Sequence, residues 1–235
     1  MINREYFDVP FAGHTLRGDS SYGSNGHILM IHGGSKDREV FAHYRQLLDE
    51  MGYGTTAFDC LGHGASTGSM SESSLESRTR QALAVIAHLN VPLTGCLGSS
   101  MGAYNAIQLS ARVDFRSLIL LVPGVYTPVA ATVNFGPAFS QIIRQEKSWQ
   151  DSDAWPLLAG FRGKILIVAA ERDEVIPQEI PAKLHNAAME ALWKTLFVVP
   201  NAGHNSVWKN ITQSAALTEK AHAFFRTCLA PVDKA

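Results

Sequence analysis

Three residues far apart in this chain form one chemical set: Ser100, Asp173 and His204. A serine hydroxyl is a poor nucleophile in water, but on a tight turn beside a base it attacks an acyl carbon. Ser100 lies in Gly98-Ser99-Ser100-Met101-Gly102, with a strand-like segment before it and a helix-like one after it. That is the G-x-S-x-G pattern of a nucleophile elbow. Glycines flank such a serine because side chains there would collide with neighbouring backbone. Ser99 is the alternative hydroxyl, one position off the pattern. His204, in Asn201-Ala202-Gly203-His204, is the candidate base, since imidazole takes and returns a proton near neutral pH. Asp173, in Glu171-Arg172-Asp173-Glu174-Val175-Ile176-Pro177, is the candidate that holds the His204 tautomer; Glu174 is its rival. Acyl transfer also needs an oxyanion hole. The candidate donors are the N–H of Met101, at a helix start, and the N–H of Gly34 in His32-Gly33-Gly34.

These residues need strand ends to hold them, and the hydrophobic pattern supplies the strands. Residues 4–9 and 14–19 read as a hairpin around Gly13. Ile28–Ile31 reads as a buried strand that stops at Gly33-Gly34, and residues 40–51 have helical spacing. Gly54–Cys60 is a further strand, and residues 73–89 an amphipathic helix with Leu75, Ala82, Val85, Ile86 and Leu89 on one face. Leu93–Leu97 precedes the elbow and Ala103–Ala111 is the helix after it. Leu118–Val122, Ile165–Val168 and Thr195–Val199 complete the strands, with helices near 178–190 and 211–229. Alternation of this kind implies a mostly parallel sheet of about eight strands covered on both faces. Residues 125–160 interrupt the rhythm and hold Tyr126, Phe135, Phe139, Trp149 and Trp155. They read as an insertion over the carboxyl edge of the sheet, where ligands bind in such folds.

The 235 residues are 46% hydrophobic, which suits one sizeable core, so a single domain over 1–235 is expected. With 20 basic and 21 acidic residues and no long charge run, neither nucleic acid nor an anionic membrane surface is implied as a partner. Cys60, Cys96 and Cys228 are widely spaced in apolar stretches and read as buried thiols. The first residues lack the apolar core of a signal peptide, and no run approaches a bilayer span, so a cytoplasmic location is expected. No H-E-x-x-H, paired C-x-x-C or phosphate-binding loop motif occurs, and the proposed chemistry needs no cofactor or metal. Oligomeric state is not readable from the pattern.

The chain resembles the α/β-hydrolase superfamily, in its serine-hydrolase branch that includes monoacylglycerol-lipase-like and serine-aminopeptidase-like members. His32-Gly33-Gly34 resembles the oxyanion loop of that superfamily, and Asp59-Cys60-Leu61-Gly62-His63-Gly64-Ala65-Ser66 its D-x-x-G-x-G-x-S loop. The order Ser100, Asp173, His204 matches its nucleophile, acid and histidine, and Asp173 matches its D-x-x-x-P pattern. The resemblance spans residues 20–228 and implies that 125–160 is a small cap. Ser99 and Gly102-Ala103 depart from the His-before and Gly-Gly-after pattern of many lipase members. Serine at the elbow also argues against the branches that use Asp or Cys there. The expectation is hydrolysis of a small or medium carboxylic ester by water through an acyl-enzyme. The same set would serve a thioesterase, an amidase or peptidase, a carbon–carbon bond hydrolase or an acyltransferase, and the fold also serves ligand-binding proteins without turnover. Candidate pocket residues are Ser35, Tyr126, Phe135, Phe139 and Trp155. Lys36, Asp37 and Arg38 read mostly as solvated surface, His32 and His63 as structural loop residues, and Asp59 as a loop-ordering carboxylate.

Overall fold

The structure is a computed structural model and describes residues 3–231. Eight strands form one sheet: β1 (Glu5–Phe11), β2 (His14–Ser21), β3 (His27–Ile31), β4 (Gly54–Phe58), β5 (Gly95–Ser99), β6 (Ser117–Leu121), β7 (Lys164–Ala170) and β8 (Trp193–Val199). Their order is β1-β2-β4-β3-β5-β6-β7-β8. β1 and β2 form the expected antiparallel hairpin, turning at Ala12 and Gly13, both with positive φ as a two-residue hairpin turn requires. β2 pairs antiparallel with β4, and every later pairing is parallel.

Among the described residues six α-helices lie between strands, α1 (Ala42–Glu50), α2 (Leu75–His88), α3 (Met101–Ser110), α4 (Pro137–Ile143), α5 (Ala154–Ala159) and α6 (Glu179–Ala187), and two follow β8, α7 (Val207–Thr212) and α8 (Ala215–Leu229). The parallel strands alternate their side chains between two cores. Leu29, Ile31, Leu118, Leu120, Ile165 and Ile167 pack with α2, α3, α5 and α6 on one face. Ile28, Met30, Ile119, Leu121, Leu166 and Val168 pack with α1, α7 and α8 on the other. All three cysteines are buried free thiols.

Several element boundaries differ from the spacing-based expectation: β5 runs Gly95–Ser99 rather than Leu93–Leu97, and α3 starts at Met101 rather than Ala103. The stretch near 211–229 is not one helix, because the chain breaks at Gln213-Ser214 and Ser214 Oγ accepts the Leu217 N–H to start α8. The helix expected over 40–51 is preceded by a 3₁₀ turn at Arg38–Phe41, whose N-terminal cap is the Asp37 carboxylate. Residues 125–160 contain no strand; they carry a 3₁₀ turn at Pro128–Ala130, then α4 and α5.

The topology chooses the site. From β3 the chain moves to one side, to β4; from β5 it moves to the other, to β6. The carboxyl ends of β3 and β5 are therefore neighbours from which the chain departs in opposite directions. Such a switch point leaves a crevice outside the strand ends.

Candidate active site

Ser100 caps α3 directly after β5, with φ 53° and ψ −117°. For a residue with a Cβ this left-handed conformation is strained, and the surroundings enforce it. Ser100 N–H donates to the Leu121 carbonyl at 2.8 Å, and its own carbonyl accepts from Ala103 N–H at 3.0 Å and Gly124 N–H at 3.1 Å. The flanking glycines are steric necessities. A Cβ on Gly102 would strike the carbonyl oxygen of Ile31 and lie 2.6 Å from that of His32. One on Gly98 would strike the Gly102 carbonyl and lie 2.6 Å from Ala103 Cα. The elbow is pressed against the end of β3 at Gly102 and folds back on the start of α3 at Gly98, so its turn admits no side chain at either place.

The three chemical residues meet. Ser100 Oγ lies 3.1 Å from His204 Nε2, and His204 Nδ1 lies 3.0 Å from both Asp173 carboxylate oxygens. Asp173 sits just past β7 and His204 just past β8. Their side chains are 4% and 10% exposed, so the contact is largely dry. Asp173 Oδ1 also accepts the N–H groups of Val175 and Ile176, each at 2.9 Å, which fixes the carboxylate in its turn. Burial works to raise the Asp173 pKa, but the bond from His204 and these two N–H groups outweigh it and hold the group below its ordinary value. Glu174 serves the backbone instead: its carboxylate accepts the His204 N–H at 3.2 Å.

The His32-Gly33-Gly34 loop lies against Ser100. A Cβ on Gly33 would come within 3.3 Å of Ser100 Cβ, and one on Gly34 within 3.1 Å of Met101 Cε. The carbonyls of this loop are all engaged. Gly33 O accepts His32 Nδ1–H at 2.7 Å, and Gly34 O accepts His63 Nε2–H at 2.8 Å. His32 is buried and accepts the Cys60 N–H on Nε2 at 2.9 Å. Burial, then the nearby Arg78, push its pKa well below that of free imidazole, so it is neutral. Gly34 N–H shares a peptide plane with the pinned Gly33 carbonyl, and it donates to no acceptor among the described residues. Met101 is the first residue of α3, so its N–H has no intrahelical acceptor. Met101 N–H thus lies at the positive end of α3, next to Ser100 in the chain.

Arg78 is a participant that the pattern of residue types did not single out. Its guanidinium is wholly buried and donates to the carbonyls of His32 and Gly33 and to Asn105 Oδ1. No carboxylate lies within ion-pair distance of it among the described residues. One signal was present in the sequence. Between Leu75 and Ala82 the apolar stripe of α2 skips a turn, and Arg78 occupies the gap. Replacing it with Met would remove the donor to the His32 carbonyl and to Asn105 Oδ1, while Gly33 O keeps the His32 ring. Arg78→Met is expected to lower stability by about 3 kcal/mol, read as a shift in denaturation midpoint, with Arg78→Lys intermediate.

A cleft of about 1140 Å³ opens over Ser100, His204, Gly33 and Gly34. Of the candidate pocket residues, Ser35, Tyr126, Phe135 and Phe139 line it. Trp155 is not among its lining residues: its ring packs against Trp149 and under Lys183, and its indole N–H donates to Gln150 O. Trp208 and Lys36 also line the cleft, whereas Arg38 turns away to Asp19 and Asp59. Asp59 additionally accepts the Ala65 N–H, consistent with a loop-ordering role.

Comparison with known proteins agrees with this architecture. An uncharacterized protein of Mycobacterium tuberculosis is 26% identical over 191 residues, covering 79% of this chain and 65% of that protein. This chain thus spans less than two thirds of the length of the curated relatives it matches. Est1E from Butyrivibrio proteoclasticus, solved with ferulic acid bound, superposes with a TM-score of 0.75 at 19% identity, covering 96% of this chain and 100% of that one. The esterase Pf2001 of Pyrococcus furiosus superposes with a TM-score of 0.72 at 17% identity, covering 97% and 94%. At these identities the structures show a shared fold. A model of the alpha/beta hydrolase family matches residues 28–163, more than half of the chain, and the protein belongs to that family.

Proposed function

We propose that this protein is a serine hydrolase that cleaves small or medium carboxylic esters. The observation that carries the reading is the continuous line from Ser100 Oγ through His204 to Asp173, at 3.1 and 3.0 Å, opening into a cleft beside a free Gly34 N–H. With Nδ1–H donating to Asp173, His204 Nε2 is left as the acceptor for the Ser100 proton. Ser100 Oγ bonds to the carbonyl carbon while its proton passes to His204 Nε2. The oxyanion is held by the N–H groups of Gly34 and Met101, each such donor being worth ~3 kcal/mol in the transition state. His204 then returns the proton to the departing alcohol oxygen as the acyl–oxygen bond breaks. Water attacks the acyl-enzyme as it loses a proton to His204 Nε2, and His204 returns that proton to Ser100 Oγ as the acyl–Oγ bond breaks and the carboxylic acid leaves.

Residues 125–160 act as the cap in this reading, with Tyr126, Phe135 and Phe139 receiving the acyl group. Thioesters, amides and carbon–carbon bonds are alternative substrates for the same residues; an ester needs less help from the enzyme than an amide or a carbon–carbon bond, and the thioester is the rival that a substrate panel must separate. A fluorophosphonate probe tests the reading. It is expected to label the protein at Ser100, with short-chain esters competing for labelling. Absence of labelling, or labelling confined to Ser99, overturns it. A parallel panel of ester, thioester and amide with a common acyl chain ranks the substrate classes.

A further inference from the structure

The charge of the cleft is one-sided. Among its lining residues are Lys36, Arg144 and Lys209, and no aspartate or glutamate. The whole chain has slightly more acidic than basic residues, so this excess of cations is local to the cleft. The three come from separate parts of the fold: the loop after β3, the end of α4, and α7. None of them takes part in an ion pair or donates a side-chain hydrogen bond among the described residues, and all three are exposed at the rim. Of the acidic residues close to the three, Glu146, two positions past Arg144, is exposed and does not line the cleft. Asp37 accepts the Glu39 N–H, while Asp173 and Glu174 both serve His204.

Beside Lys36 and Lys209 in the lining, the rings of His43 and Trp208 stack with centroids 6.0 Å apart and planes 8° from parallel. The remainder of the lining is largely apolar, including Phe135, Phe139 and Ile143. A concave surface with low-dielectric walls and cations of one sign focuses its field into the space they enclose. It attracts an anion and repels a cationic ligand. We infer that the cleft binds acyl donors carrying an anionic group, a carboxylate or a phosphate, held by Lys36, Arg144 and Lys209 while the apolar cap side takes the acyl chain. This deepens the serine-hydrolase reading and rests on it for turnover, although binding can be measured without turnover.

The test uses butyryl esters of similar size that differ in charge: those of 3-hydroxybenzoate and 3-hydroxyphenyl phosphate against that of neutral 3-hydroxybenzamide. At low ionic strength kcat/KM for an anionic ester is expected to exceed that for the neutral one by roughly tenfold, with the ratio shrinking as salt is added. The larger of the two anionic ratios identifies the anion. In a Lys36→Gln/Arg144→Gln/Lys209→Gln variant the ratio is expected to fall close to one. A wild-type ratio of one or less, or a ratio untouched by the triple substitution, overturns the inference while leaving the hydrolase reading intact. If no ester is turned over, the hydrolase reading fails instead. The subsite is then judged by calorimetry of the same esters on the Ser100→Ala protein, where tighter binding of the anionic ester supports it and equal binding sinks it.

Discussion

A Ser100→Ala variant is expected to lose turnover of an activated aryl ester by a factor of about 10⁴ or more, while folding as the parent does. The expected size follows from what the hydroxyl does. Without it no acyl-enzyme forms, and His204 has no proton to take at 3.1 Å. What survives is whatever the free N–H groups of Gly34 and Met101 give to direct attack by water, so activity falls far without reaching zero. The fold is preserved because the elbow is held by its backbone bonds to Leu121, Ala103 and Gly124, none of which uses the side chain. Alanine keeps the Cβ, so the strain at φ 53° is neither relieved nor increased. The lost Ser100–His204 hydrogen bond is worth about 1 kcal/mol at most. The paired measurement is kcat for the ester and the melting temperature of each protein. A variant that keeps more than a tenth of the parent rate, with a parent-like melting curve, removes Ser100 from the chemistry.

The parts of this site that were legible before the structure share one property: their chemistry is carried by residue type and by order along the chain. Ile28–Ile31 and Leu118–Val122 are short apolar runs that end in Gly or Pro-Gly, and both became central strands, β3 at the switch point and β6 beside β5. Ser100, Asp173 and His204 each follow such a run, so reading the strands placed them at one sheet edge. The side-chain geometry then separated Asp173 from Glu174, which the sequence alone left open because one residue of loop adjustment exchanges them.

What stayed hidden was set by tertiary contact. Arg78 fills a gap in the apolar stripe of α2, which marks its face but not its partners; the approach of α2 to the loop after β3 makes it a buried support for two carbonyls. Trp155 lies in the segment that carries the pocket aromatics, yet its ring pairs with Trp149, because α5 packs on α3 and α6 and its ring lies under Lys183 of α6. Ser214 ends one helix and begins another through a single capping bond, a local competition that hydrophobic period does not record. Lys36, Arg144 and Lys209 are ordinary solvated charges in sequence. Their common meaning appears only when three distant segments close around one cleft.

The choice between the two adjacent carboxylates makes the second large prediction. Asp173→Asn is expected to lower kcat/KM by about 10⁴, and Glu174→Gln by less than tenfold. Asparagine would still fill the space beside His204 Nδ1. Its amide, however, can present an N–H there, which stabilises the tautomer with the proton on Nε2, and it removes the charge that steadies the imidazolium. The oxygens of Asp173 lie 3.0 Å from His204 Nδ1, so the substitution acts on the base directly. Glu174 touches only the His204 backbone N–H, and glutamine retains an oxygen that can accept it. A second readout separates this role from a merely structural one. The folded Asp173 carboxyl has a pKa below the ordinary 3.8, so its contribution to stability is present above that pH and is lost as pH falls through the lower, folded value. The stability gap between parent and Asp173→Asn is therefore expected to be widest near neutral pH and to close on acidification, whereas the kinetic defect at neutral pH remains. A larger kinetic loss in Glu174→Gln would transfer the orienting role to Glu174, and would mean that the loop after β7 shifts by one residue when substrate binds.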